Sequence, residues 1–446
     1  MLSSVFSPRK KVLVITYYWP PAGGAGVQRW LKFVKYFRDF GWEPVVYTPE
    51  NPEMPARDES LLADVPEHIQ VVRTPIWEPY DAYKKLVGRK KEEGIGAGFV
   101  SDKKQSGKAE SLAVWVRGNF FIPDARRFWI RPSVKFLLRW LKENPVDAIV
   151  STGPPHSMHL IALGLKKKMP HLKWVADFRD PWTNIDFYHE LKLSSWADAT
   201  HRRLELNVLK SANAVVSVGQ TMSSEFGDIL AKAKAANRLA VIPNGFDPDA
   251  VYNGPCTPDA KFSIAHIGTL NRSRNPNELW QVLAEIAKTD AQFAADLQIK
   301  LVGKIDYNVT ESISHFGLAK YVHKIDYVPL NEVGRVQKES RVLLLLINRT
   351  QNARGIITGK FFEYMATGNP VLAIGPEDGD AAAIIRETQC GYISGFDQTD
   401  TLKKYILALY QNYKTGNTSR DISPLVNQYS RRELTGKMAA LFDSLD

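Results

Sequence analysis

The sequence predicts an α/β chain of two doubly wound, Rossmann-like domains facing a central cleft. Three observations lead there. Apolar runs of strand length alternate with helix-period segments along most of the chain. A glycine-rich turn joins the first strand to the first helix, and a proline-punctuated stretch near the middle separates one alternating series from a second. The composition fits: of 446 residues, 44% are hydrophobic and 24% charged, which is ordinary for globular proteins and excludes a mainly disordered or fibrous chain. No apolar run approaches the roughly 18 residues of a membrane-spanning helix, and the start, MLSSVFSPRKK, lacks the apolar centre of a signal peptide. Two cysteines, Cys256 and Cys390, supply neither a disulfide framework nor a four-ligand zinc site. A reduced, cytoplasmic protein is expected.

In the first series, residues 12–17 form a continuous apolar strand. Pro20, Pro21 and the glycine turn follow, then Val27, Leu31, Val34 and Phe37 at helical spacing, with Gly41 as the stop. Residues 44–48 read as a second strand, so the unit is a right-handed β-loop-α-β crossover. Further strands are expected at 148–151, 174–177, 214–218 and 239–242, with helices over 156–168 and through 204–210. Residues 246–261 hold Pro248, Pro255 and Pro258 without apolar periodicity and read as a linker. The second series places strands at 262–267, 297–302, 342–347 and 370–374, and helices at 278–288, 358–367, 381–386 and 402–413. The expected division is an N-terminal domain over 1–248 with a basic-aromatic insertion at 84–139, a C-terminal domain over 262–424, and a helix in 425–446 that crosses back to the first domain.

Charge is uneven. The formal net charge is +10, and residues 84–139 alone hold 14 Lys/Arg against 5 Asp/Glu. Such a field favours an anionic partner: nucleic acid, an anionic membrane surface or a phosphorylated substrate. No recognised nucleic-acid motif is present. Residues 84–108 read as a solvated loop rich in glycine and charge. In 115–141, Trp115, Phe120, Phe121, Phe128 and Trp129 alternate with Arg117, Arg126, Arg127 and Arg131, a composition that suits an anionic headgroup zone or the wet side of a core helix.

Several clusters could carry chemistry. The turn containing Gly24 and Gly26 lets backbone approach a ligand at a helix N-terminus, where free N–H groups favour phosphate; neither the GxGxxG fingerprint nor a P-loop lysine is present. Gln28 and Arg29 follow one turn later. His156 and His159, three apart on a helix, suit a sugar or anion contact or plain packing; no third metal ligand or HExxH accompanies them. Asp177, Arg179 and Asp180 follow a strand, where ligands meet parallel sheets; a buried ion pair is the alternative. In the second half, Gly268 ends a strand and Arg272 and Arg274 follow it. Thr358 opens a helix, Lys360 adds a point charge, and Glu363 lies one turn on, placed to accept ribose hydroxyls.

Taken together, PPAGGAGVQRW, VIPNGFDPD and, about 120 residues later, GKFFEYMATGNPVLA make the chain resemble glycosyltransferase family 4, the retaining enzymes of the GT-B fold, over roughly residues 10–425. PPHSMHL and WVADFRDPW are similar to a polysaccharide-assembly branch. The resemblance implies a hexosyltransferase that moves sugar from a nucleotide donor to a glycan or lipid-diphosphate-linked acceptor. By the same resemblance, Gly24, Gly26, Gly268, Arg272, Arg274, Thr358, Lys360 and Glu363 meet the donor; Gln28, Arg29, His156, His159 and Asp177 meet the acceptor; and Arg179, Arg274 and Lys360 serve catalysis. Arg179 stands where many members have a histidine, Thr269 where an arginine is usual, and Gly355 where a second glutamate is common. No metal and no cofactor beyond the nucleotide sugar are implied, and an inner-membrane peripheral position is expected. A sugar-nucleotide epimerase of the same fold and a non-catalytic nucleotide-sugar binder are the alternatives.

Overall fold

The structure, a computed structural model, describes residues 9–54, 56–79, 108–185, 188–326, 328–416 and 422–445. Residues 84–107 of the basic insertion lie outside the described residues. The chain divides into two compact units, Met1–Pro243 with Arg431–Asp446, and Asn244–Ser430.

The first unit carries a seven-stranded parallel sheet. Its strands are β1 (Lys10–Ile15), β2 (Trp42–Pro49), β3 (Gln70–Thr74), β4 (Ala148–Gly153), β5 (Trp174–Phe178), β6 (Ala214–Ser217) and β7 (Leu239–Val241), in the order β3-β2-β1-β4-β5-β6-β7. Strands β4, β5 and β6 are buried at every residue, as both-face-covered parallel strands must be. Helix α1 (Ala25–Tyr36) returns from β1 to β2. Then come α2 (Lys108–Phe120), α3 (Arg127–Glu143), α4 (Ser157–Lys168), α5 (Ser195–Ser211) and α6 (Gln220–Lys232). The order reverses between β1 and β4, so a crevice opens beyond their carboxyl ends.

The second unit repeats the plan with β8 (Phe262–Ile267), β9 (Leu297–Val302), β10 (Val322–Ile325), β11 (Val342–Leu346), β12 (Val371–Ile374) and β13 (Gly391–Ser394), ordered β10-β9-β8-β11-β12-β13 and all parallel. Its helices are α7 (Asn277–Thr289), α8 (Ala291–Asp296), α9 (Tyr307–His315), α10 (Leu330–Glu339), α11 (Gly359–Ala366), α12 (Asp380–Thr388) and α13 (Thr399–Lys414). Here the order reverses between β8 and β11. Strands β3, β10 and β13 escape the sequence reading because they are short edge strands with partly exposed faces. Residues 246–261 are not a free linker: Phe246 pairs with Ser430, and Asp259 binds the buried Lys300 at 2.6 Å.

The last helix, α14 (Arg431–Asp443), buries Leu434, Met438, Leu441 and Phe442 in the first unit. The Phe442 ring lies 5.2 Å from Trp42 and 5.7 Å from Phe37.

One ion pair holds the top of the first sheet. Arg29 (2% exposed) on α1 donates through Nη2 to Asp177 Oδ1 (0% exposed) on β5 at 2.8 Å. Trp30 Nε1 and Thr152 Oγ1 donate to Oδ2 at 2.7 and 2.9 Å. The rest of the guanidinium donates to the carbonyls of Ile242 and Pro243, each at 2.8 Å. Burial alone would raise the Asp177 carboxyl; Arg29 and these hydrogen bonds outweigh it and hold the group below the usual range. Arg29 and Asp177, expected at the acceptor, are therefore corrected to a sealed structural pair: every hydrogen-bonding direction is spent inside the protein.

Asp177→Ala leaves Arg29 buried without its counter-charge and is expected to cost about 3–5 kcal/mol. Asp443→Ala removes only the exposed partner of Lys10 and is expected to cost about 0–1 kcal/mol. Urea melts of the two variants should separate accordingly.

Candidate functional site

In the first unit the site residues gather where β1, β4 and β5 end. Gly24 caps α1 at φ 91°, a left-handed value that glycine adopts without strain. A Cβ on Gly26 would sit 2.8 Å from the Tyr18 ring, so only glycine lets this loop close on its neighbours. Arg179 Nη1 donates to the Gly26 carbonyl at 2.5 Å, and Nη2 donates to the Pro154 carbonyl. Arg179 thus clamps the glycine loop to the loop after β4, while its buried Nε has no hydrogen-bond partner. Gln28, one turn into α1, is half-buried.

His156 and His159 are brought together beneath this clamp, their rings 5.8 Å apart. His156 stacks flat on Trp182 at 4.5 Å, and Trp182 Nε1 donates to His201 Nδ1 at 3.0 Å. His159 stacks on Phe178 at 4.3 Å and shares a 2.9 Å hydrogen bond with Ser151 Oγ. Burial, and for His156 the neighbouring His159, keeps both imidazoles neutral; the His159 value falls to about 3. His159 is fully buried, so its expected acceptor contact is corrected to a packing role, and His156 is nearly so, at 8% exposed. Among the described residues no three His, Cys, Asp or Glu side chains group as metal ligands.

Trp182 enters the sequence reading only as the last residue of WVADFRDPW, and Glu205 does not enter it. Glu205, on α5, accepts from Thr183 Oγ1 at 2.6 Å and from the Thr183 N–H at 3.3 Å. It thereby fixes the loop that carries Arg179. Nothing local in the sequence marks it, because a glutamate inside a helix normally faces water.

In the second unit, Gly268 (φ 119°) follows β8, and a Cβ there would meet Lys360 Nζ at 2.9 Å. Lys360, in the first turn of α11, donates to the Ile267 carbonyl at 3.0 Å. Arg274 donates to Asn348 Oδ1 after β11. Burial, with the nearby Arg274 charge, lowers the Lys360 ammonium to about 8, and Glu363 partly opposes this. Thr358 precedes α11 without capping it, and its Oγ1 is buried without a partner. Glu363 is exposed one turn on, held by Gln337 Nε2 at 3.2 Å. Arg272 is exposed. The structure therefore brings Gly268, Lys360 and Arg274 to one place at the switch point of this sheet, a helix N-terminus beside two cations, which is the physical make-up of an anion site. Asn348 and Gln337, which aim Arg274 and Glu363, carry no sequence signal of their own.

Residues 98–250 match the family described as Glycosyltransferase Family 4, and residues 261–412 match Glycosyl transferases group 1. The chain belongs to glycosyltransferase family 4. Its two parallel α/β sheets are those of the GT-B fold. Sucrose-phosphate synthase from Thermosynechococcus elongatus is similar in structure, at 13% identity and TM-score 0.61 over 98% of this chain and 99% of that one. So is WaaG, a glycosyltransferase involved in lipopolysaccharide biosynthesis, at 15% identity and TM-score 0.54 over 97% and 100%. Anabaena HepE in complex with UDP-glucose matches at 14% identity and TM-score 0.57 over 98% and 100%. No curated protein matches the sequence. Within this family 4 chain, Arg354, beside the position where a second glutamate is common, pairs with Asp378 at 3.1 Å.

The buried histidines give this glycosyltransferase an acid limit. Their folded values lie below the unfolded 6.5, so the unfolded chain binds more protons between pH 6.5 and about 3. Stability is expected to be full above pH 6.5 and to fall as pH drops through that window, with His159 in one unit and His266 in the other contributing. Urea midpoints measured at pH 7.5 and 5.0 check this, and His159→Gln should flatten the difference.

Proposed function

We propose that this glycosyltransferase moves a hexose from a nucleotide sugar to a hydroxyl of a glycan or lipid-linked glycan, with retention of configuration, in cell-surface polysaccharide assembly in the cytoplasm. The observation that carries the reading is the set of groups at the end of β8. Lys360 and Arg274 lie beside the opening of α11, and Glu363 faces solvent one turn further on. Two cations and a helix N-terminus match a diphosphate. An exposed, fixed carboxylate one turn away matches the hydroxyls of a ribose. UDP-glucose in complex with HepE supports a nucleotide-sugar donor for a chain of this fold.

In this reading the leaving diphosphate takes the acceptor proton on the face from which it departs. The protein then has two tasks, stabilising negative charge on the leaving phosphate and orienting the partners. Lys360, Arg274 and the α11 N–H groups do the first, with Thr358 Oγ1 and exposed Arg272 available to the phosphates. The backbone at Gly268 lets the diphosphate approach. In the first unit, Gln28 and the nearly buried His156 form the acceptor side beside the Gly24–Gly26 loop, whose expected partner is the donor, and Arg179 holds these loops in register. Protein cations take the place of a divalent metal.

Thermal-shift screening against UDP-, GDP-, ADP- and CDP-sugars should pick out one base. Lys360→Met should then lower kcat by about 10²–10³, as loss of one preorganised charge contact does, while raising the stability of the ligand-free chain, which no longer buries an ammonium. Donor affinity should fall as pH rises through about 8, where empty-site Lys360 loses its proton, and Lys360→Arg should remove that fall. Transfer should persist in excess chelator; loss restored by magnesium would defeat the metal-free mechanism. Release of a second free nucleotide sugar without an acceptor would identify an epimerase instead.

A further inference from the structure

The first unit carries a continuous surface that the transfer chemistry does not use. Helix α3 buries Trp129, Ser133, Leu137 and Leu141 at four-residue spacing. Its opposite face exposes Arg127, Arg131, Lys135 and Arg139 at the same spacing, so four cations form one stripe along about three turns. Among the described residues none of the four has an acidic partner. At the N-terminal end of the stripe, aromatic side chains stand in water. Trp77 is 63% exposed, Phe120 57%, Phe128 43% and Trp115 40%.

These rings form one patch. Trp77 meets Phe128 edge-on at 4.8 Å, Phe121 lies 6.0 Å from Phe128, and Trp115 lies 5.7 Å from Phe120. Arg127 joins the halves, covering the Phe128 ring at 5.8 Å and donating to the Phe120 carbonyl. Leaving such rings in water is unfavourable, and soluble proteins seldom keep a large aromatic patch exposed without a partner.

The patch is tied to the end of the sheet where the glycine loop lies. Asp124 accepts from the Ser157 N–H and Oγ, at 2.9 and 2.8 Å, next to His156. Arg126 pairs with Glu78 at 3.0 Å and covers the Tyr17 ring at 4.4 Å, and Tyr17 OH donates to Glu78 at 2.7 Å.

We propose that the α3 stripe and the Trp77–Phe128 aromatic patch dock the first unit on an anionic lipid surface. Cations attract the headgroup layer, and aromatic rings with an amphipathic edge settle at the water–hydrocarbon boundary. A protein or nucleic-acid partner is disfavoured: the exposed aromatics stand at one end of the cation stripe, as suits a flat, fluid, anionic sheet, and do not run along it as a series of base-stacking platforms would. A consequence, resting on the acceptor assignment proposed above, is that the acceptor reaches Gly26 and His156 from the lipid plane.

The test is co-sedimentation of the intact chain with vesicles of phosphatidylcholine alone and of phosphatidylcholine mixed with phosphatidylglycerol. Binding is expected only to the mixed vesicles, weakening as salt rises. The combined variant Arg131→Gln, Lys135→Gln, Arg139→Gln should lose about fivefold in affinity per cation. Trp77→Ser with Phe128→Ser should remove the binding that survives high salt. All variants should keep the wild-type thermal shift with the nucleotide sugar, which shows an intact fold. No binding to mixed vesicles at low salt would overturn the proposal, as would undiminished binding by the triple variant or stripe-dependent retention of RNA in place of vesicles. Vesicle binding without any nucleotide-sugar shift would leave this surface standing while defeating the transferase reading.

Discussion

The Arg29–Asp177 pair is the constraint on which the first unit's site depends. The carboxylate at the end of β5 gathers α1 and β4, and the guanidinium it holds reaches on to the segment after β7. Because α1 begins at the glycine loop, fixing Arg29 and Trp30 fixes where that loop stands over the strand ends. Such a pair gives little net stability relative to apolar packing, since both ions were taken out of water. It gives a single answer: with all its donors and acceptors matched, only one placement of α1 avoids an unpaired buried charge. Arg179 works on top of this platform, and Glu205 holds the loop that presents Arg179 from below.

The two units meet similar problems with opposite electrostatics. In the first, histidines are stripped of water and kept neutral beside the Arg179 clamp. In the second, a lysine is stripped of water while still ionised at neutral pH, and an arginine stands near it. Glu363 partly offsets that repulsion in the folded chain, and in the reading proposed above a phosphate-bearing ligand would relieve the rest. On that reading, energy stored in the empty site would become affinity, which is the usual sense in which a binding site is preorganised.

Much of this was legible in the residues. The interior strands are runs such as VLLLL that suit only a fully covered parallel sheet. The turn between β1 and α1 and the segment GKFFEYMATGNP announced themselves by spacing. Edge strands β3, β10 and β13 did not, because short, partly exposed strands lose the apolar signature. The partner choices were also hidden. Sequence proximity put Asp177 with Arg179, but geometry gives Asp177 to Arg29, 148 positions away. Gln337 and Asn348 aim functional side chains through contacts 26 and 74 positions apart. No local pattern encodes a pairing decided by how distant elements pack.

The return of α14 to the first unit makes that unit discontinuous in sequence, whereas Asn244–Ser430 is one uninterrupted segment. The segment is in effect an insert, with entry and exit side by side at the Phe246–Ser430 bridge. Adjacent ends let such a piece be exchanged as a cassette without cutting the host's core. Damage to the final helix falls on the opposite party: losing Phe442 would hollow out the wall behind Trp42 while leaving the inserted segment whole. Genetic lesions at the two ends of the chain should therefore share one phenotype.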